Sequence, residues 1–177
     1  MARWNDTDFP LAYLTTVRTF GMWLHGDERG SVDRFMNKYG SPRIPQRDFR
    51  RNYNRAIMRS EPVLLDADRR KAVNKAIREV CKHRGWTMLA INVRTNHFHV
   101  VVATPGPKPF RALNTFKAYS TRKMRETGCW ESERTPWVDK GSERWLWNED
   151  SIANACDYVA NGQGADLDEF DNWTRRG

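Results

Sequence analysis

The sequence predicts an α+β domain in which an antiparallel sheet carries helices packed on one face. Three observations predict it. Two apolar segments are joined by only two residues, Thr95-Asn96, and strands connected so tightly must run antiparallel. Helical and strand periodicities follow one another as strand, helix, strand, strand, helix, strand, the order of a ferredoxin-like or split βαβ arrangement. Breakers fall where that order needs them, at Gly85, at Pro105-Gly106-Pro107 and at Gly128.

Leu11 to Thr19, rich in Tyr, Leu, Thr and Val, forms the first strand. Gly40 to Ser60 stands apart, with Arg43, Arg47, Arg50, Arg51, Arg55 and Arg59 against one acid, Asp48, and with Phe49 and Tyr53 interleaved. Such a basic loop or short helix suits a phosphate backbone whose bases stack on the rings, and equally a solvated insertion. Asp66 caps a helix in which Val73, Ala76, Ile77, Val80 and Arg84 recur at helical spacing until Gly85. Trp86 to Arg94 and His97 to Thr104 are the second and third strands. Phe110, Leu113, Phe116, Ser120 and Met124 mark one face of a second helix that ends at Gly128; Arg111, Arg122 and Arg125 mark its other face. Trp137-Val138 and Arg144 to Trp147 read as short strands, and a last helix runs from about Asp150 to Asn161. Residues 1–164 then form one domain with a basic insertion at about 40–60, and residues 165–177 an acidic tail carrying Asp166, Asp168, Glu169 and Asp171.

Composition narrows the function. Lys and Arg outnumber Asp and Glu by 30 to 22, a formal charge of +8 in 177 residues, which favours a polyanionic partner, nucleic acid first and an acidic membrane surface second. Three cysteines, Cys81, Cys129 and Cys156, have no close pair, arguing against a disulfide framework and a cysteine-ligated zinc. No apolar run approaches a membrane span. The expectation is a cytoplasmic protein, associated with the nucleoid if its partner is DNA.

Of four histidines, His97 and His99 stand two apart on the third strand. Alternation sets them on one face with Val101, and Phe98, Val100 and Val102 on the other. Same-face neighbours lie about 7 Å apart along a strand, so both imidazoles can converge on one cation; a pair of partly buried structural histidines fits the spacing as well. The apolar face should pack under the helices and the histidine face look outward. In the last helix Ile152, Ala155, Cys156 and Val159 form an apolar stripe, with Tyr158 at its edge.

Asn96-His97-Phe98-His99-Val100-Val101-Val102 resembles the His-hydrophobe-His motif of HUH nucleases. Asp157-Tyr158-Val159-Ala160-Asn161-Gly162-Gln163-Gly164 resembles the tyrosine helix of their single-tyrosine transposases, the insertion-sequence transposases and the REP-associated tyrosine transposases. Tyr13 to Thr19 and Trp145-Leu146-Trp147 extend the likeness to about residues 10–164. The resemblance implies a ferredoxin-like or RRM-like HUH fold and a metal-dependent single-stranded DNA endonuclease and strand transferase. His97 and His99 would hold Mg²⁺ or Mn²⁺, and Tyr158 would attack phosphorus to give a 5′-phosphotyrosine and a free 3′-hydroxyl. The substrate would be single-stranded DNA beside a hairpin, contacted by Arg43, Arg47, Arg50, Arg51, Arg55, Arg111 and Arg122, with Lys117 a further candidate. Relatives act as homodimers or monomers.

One departure concerns the third ligand. Several relatives place an amide four residues after the tyrosine, where this chain has Gly162. Gln163 and Asn161 are the substitutes, Gln163 preferred because a residue at the helix end can turn back towards the histidines. A non-catalytic single-stranded nucleic-acid-binding module on the same fold is the alternative function, and it has no need of two histidines and a tyrosine together. A metal-dependent hydrolase would need further carboxylate ligands and a general base.

Overall fold

The computed structural model describes residues 9–22, 48–56, 58, 60–105 and 109–164. The chain divides into two compact units, one formed by Met1–Arg18 with Leu65–Gly177 and the other by Thr19–Leu64.

The larger unit holds a four-stranded sheet. Its strands are β1 (Ala12–Arg18), β2 (Thr87–Val93), β3 (His97–Ala103) and β4 (Ser142–Leu146), in the order β2-β3-β1-β4 with every neighbouring pair antiparallel. This is the expected α+β class with ferredoxin-like strand order. The helices are α2 (Ala67–Arg84), α3 (Pro109–Glu126) and α4 (Glu149–Asn161), and α1 (Asp48–Ala56) belongs to the smaller unit.

The helix ends follow from the residues that bound them. Asp66 Oδ1 accepts the Arg69 N–H at 2.9 Å, satisfying one of the donors a first turn leaves open. Gly85 takes the left-handed conformation at φ 67°, which lets the Trp86 N–H close on the Cys81 carbonyl at 2.9 Å. Asn148 caps α4 through the Ser151 N–H at 2.8 Å.

Both faces of the sheet are covered, and by different helices. Val17, Ile91, Val93, Phe98, Val100 and Val102 pack with α2 and α3. Ala12, Leu14, Val101 and Leu146 pack instead with Ala155 and Val159 of α4. The expectation of helices on one face therefore holds for α2 and α3, while α4 lies on the histidine face. The reason is in the strands: Leu14 and Val101 make that face apolar too, and the α4 stripe buries them. The histidine face consequently does not look wholly outward, and His99 is 6% exposed.

Two local features depart from simple alternation. The pairing of β2 with β3 shifts between Met88 and Ala90, leaving Leu89 as a bulge. The bulge lets Met88 and Ile91 both face the α2–α3 core while Ala90 and Asn92 face the other side. Trp137-Val138, expected as a strand, is an isolated bridge residue followed by irregular chain. Trp137 serves as a core plug, stacked edge-on against Phe98 with 5.2 Å between centroids. Its indole N–H is shared between Thr121 Oγ1 at 3.0 Å and the Lys117 carbonyl at 3.1 Å.

In the smaller unit, the basic stretch forms helix α1, with Phe49 and Tyr53 exposed, and the Val63 N–H donates to the Phe20 carbonyl at 2.9 Å. The acidic tail at 165–177, with Arg43 and Arg47, lies outside the described residues. Among those residues no helix is long and apolar enough to cross a membrane.

Candidate active site

Strand register lays the site out as rows across the sheet. His99 stands between Asn92 of β2 and Thr16 of β1, and His97 stands beside Arg18 of β1. The Arg94 N–H donates to the His97 carbonyl at 2.8 Å, closing the two-residue hairpin Thr95-Asn96. The two imidazoles are 4.7 Å apart between centroids and inclined at 75°. Each ring is oriented by a neighbour through Nδ1: Thr16 Oγ1 lies 2.7 Å from that of His99, and Asn96 Oδ1 lies 2.6 Å from that of His97.

Helix α4 brings the tyrosine to this pair. Only Trp147 and Asn148 separate it from β4. Its stripe seats on Leu14 and Val101, and the Asn92 amide donates to the Val159 carbonyl at 2.9 Å. A carbonyl in the last turn of a helix lacks its usual partner, so this bond fixes the helix end to the sheet. Tyr158, one residue earlier, sits at the stripe's edge and is 47% exposed. Its ring meets His99 edge-on, 5.5 Å between centroids.

Past the helix end Gln163 turns back. Its Nε2 donates to the Tyr158 carbonyl at 3.2 Å, and its Oε1 lies 3.2 Å from His97 Nε2. Asn161, the other amide, donates to Asp157 Oδ1 at 2.7 Å. Gly162 leaves room for the tyrosine: a Cβ there would stand 2.7 Å from the Tyr158 carbonyl oxygen and 2.9 Å from its ring Cδ2.

Burial holds the His99 imidazole down at about 4, helped by the adjacent His97 and by Arg18 and opposed by the Gln163 amide. The ring is therefore neutral at physiological pH, the form that donates a lone pair to a cation.

The model of the IS200-like transposases matches residues 55–159. The chain belongs to the IS200-like transposase family. His97, His99 and Tyr158 all fall within the matched stretch. Among solved structures, a REP-associated tyrosine transposase bound to a REP hairpin is similar in fold, with a TM-score of 0.52, 13% identity, and 92% of this chain and 72% of that one covered. A candidate transposase from Deinococcus radiodurans R1 gives a TM-score of 0.47 at 14% identity, covering 93% of this chain and 100% of the other. No curated protein matches it.

In this transposase-family chain, His97, His99 and Gln163 are the side chains that would hold one divalent ion. Among the described residues no group of three or more His, Cys, Asp or Glu side chains is placed to hold a metal, so two imidazoles and an amide oxygen are the available ligands. A neutral His97 that donates from Nδ1 to Asn96 carries its lone pair on Nε2. That lone pair then faces the Gln163 oxygen at 3.2 Å, an arrangement that is favourable with a cation or proton between the two.

Of the basic residues named from the sequence, those described in the larger unit lie on α3. Arg111 and Arg122 are exposed on α3, whose core packing is against the opposite face of the sheet. Arg122 lies over the Tyr119 ring at 4.3 Å and pairs with Glu126 at 3.5 Å. The Lys117 ammonium donates to the Val138 and Asp139 carbonyls at 2.8 and 2.7 Å, clasping the segment before β4. Arg55 is exposed on α1 in the other unit, and Arg50 and Arg51 lie on the same helix, their side chains outside the described ones.

Sequence reasoning missed Thr16, Asn92 and Asn96, which orient the site. Asn92 carried a usable signal, an amide inside the apolar run Met88-Leu89-Ala90-Ile91 to Val93, where an unpartnered polar group is costly.

Proposed function

We propose that this protein is a metal-dependent single-stranded DNA endonuclease and strand transferase working through a 5′-phosphotyrosine on Tyr158. The observation that carries the reading is the contact of the Tyr158 ring with His99 in the same chain, with Gln163 joining the tyrosine's carbonyl to His97.

His97, His99 and Gln163 would hold Mg²⁺ or Mn²⁺. When bound, the ion supplies Lewis-acid polarisation of a non-bridging phosphate oxygen. The remaining work falls to the chain. Thr16 and Asn96 hold the imidazoles, and Asn92 holds the helix end. Tyr158 Oη attacks phosphorus, the bond from phosphorus to the 3′ oxygen breaks, and the proton lost by the phenol is balanced by the one gained on the 3′-hydroxyl. The phosphodiester is conserved as a tyrosyl ester, so attack by another 3′-hydroxyl rejoins a strand. DNA hairpins are the favoured substrate, a reading supported by the hairpin bound to the REP-associated neighbour of like fold.

The test is incubation with labelled single-stranded hairpin DNA and Mn²⁺, resolved on a denaturing gel. A protein-linked fragment is expected from wild type, and none from Tyr158→Phe, which should bind the DNA as well as wild type. Binding without any adduct across a hairpin panel would make the protein a nucleic-acid-binding module instead.

A further inference from the structure

The row that contains His97 runs from Arg94, one residue past the end of β2, to His97 of β3 and Arg18 of β1. Arg18 is the register partner of His97, and Arg94 faces it across the hairpin. Alternation puts both arginines on the histidine face, two residues beyond Thr16 and Asn92. At about 4.8 Å per strand the two Cα atoms straddle His97 about 10 Å apart. Arg18 is exposed and Arg94 half-buried. The next row, Asn92, His99, Thr16, adds no carboxylate.

An anion needs cations at this place. The C-terminal end of α4 turns towards it, as the reach of Gln163 to His97 shows, and a helix C-terminus carries partial negative charge. The last turn of α4 has no basic residue to offset it. Arginine is suited to the task because its planar fork takes a phosphate by two parallel hydrogen bonds.

We propose that Arg94 and Arg18 grip the phosphates on either side of the one presented to Tyr158, so that the single strand crosses the end of the sheet perpendicular to its strands. The proposal rests on the DNA-cleaving reading for its substrate. Its test separates the two.

Binding of a fluorescein-labelled single-stranded hairpin oligonucleotide is measured in EDTA over a salt series. Arg18→Gln and Arg94→Gln are each expected to lower the slope of log affinity against log salt by about 0.7, one single-strand phosphate contact. Arg84→Gln, an exposed arginine on α2, should leave the slope unchanged. Arg18→Lys and Arg94→Lys should restore it, which shows that the fold survives. A methylphosphonate at one phosphate flanking the cleaved bond should cost as much affinity as the matching Arg→Gln change, and nothing more when both are combined. Wild-type slopes in both Gln variants, or an equal fall in Arg84→Gln, would overturn the proposal. An adduct formed at full rate by variants with unaltered slopes would leave the cleavage reading standing alone. The expected slope changes without any adduct in wild type would leave only the phosphate grip.

Discussion

Gly162→Ala tests how the end of α4 places the nucleophile. The backbone at Gly162 has φ −88° and ψ 10°, which alanine adopts without strain, so the obstacles are the Tyr158 carbonyl oxygen, 2.7 Å from the new Cβ, and the Tyr158 ring. The new Cβ would lie 2.9 Å from Tyr158 Cδ2, whereas carbon atoms in contact settle at about 3.5 Å or more. The ring must therefore move by about 0.5 Å at Cδ2. The hydroxyl lies about twice as far from the ring's hinge as Cδ2 does, so it moves by about 1 Å, a misplacement that costs about 10²-fold in rate. Stability should fall modestly, because the new Cβ also meets the Tyr158 carbonyl oxygen at 2.7 Å, a backbone crowding that outweighs the roughly 0.4–1 kcal/mol gained through the unfolded chain. Single-turnover adduct formation on hairpin DNA with Mn²⁺ gives the rate, and thermal denaturation gives the stability. Wild-type rate together with wild-type stability would refute the argument that Gly162 sets the tyrosine's position.

Three further outcomes are expected. Without metal, His99 titrates at about 4 in the folded protein against an ordinary 6.5, so the unfolded chain binds the extra proton in that window and stability falls as pH drops from 6.5 towards 4. The loss is on the order of 3 kcal/mol, and urea melts in EDTA should show it in wild type and a flatter profile in His99→Gln. Mixing His99→Ala with Tyr158→Phe should restore no adduct, because the Tyr158 ring meets His99 of its own chain; restored adduct would establish a tyrosine supplied by a partner. Asp66→Ala should lower unfolding stability by about 1 kcal/mol by removing the α2 cap, measurable in a urea titration, with adduct chemistry unaffected.

The strands and helices were largely legible because their punctuation is chemical. Asp66 and Gly85 bound α2 where a cap and a left-handed stop belong, and His97 and His99 declare their shared face by simple alternation. The side of the sheet that α4 covers was not legible. An amphipathic stripe such as Ala155 and Val159 tells that a helix must be covered, but β1 and β3 offer apolar residues on both faces, Val17 and Val100 on one and Leu14 and Val101 on the other. Asn92 was hidden by the bulge at Leu89, which breaks the period-two count between Met88 and Ala90. Trp137 reads as a strand residue from its β-forming character, and only the depth of the hole beside Phe98 makes it a plug.

The short passage from β4 into α4 has a mechanical meaning once DNA is covalently held. A strand esterified to Tyr158, as proposed, would pull on α4, and with only Trp147 and Asn148 as slack the pull would pass directly into a five-residue strand at the rim of the sheet. Other moorings of the helix include the Asn92 bond to Val159, the Gln163 amide at His97 and the apolar seat on Ala12, Leu14, Val101 and Leu146. Tension on the tethered end would thus be shared by the outermost ladder, the Asn92 bond to Val159 and the Gln163 contact with His97. Unzipping of β4 from β1 is the yielding step such a load selects, and it would carry the tyrosine away from the histidines with the DNA still attached.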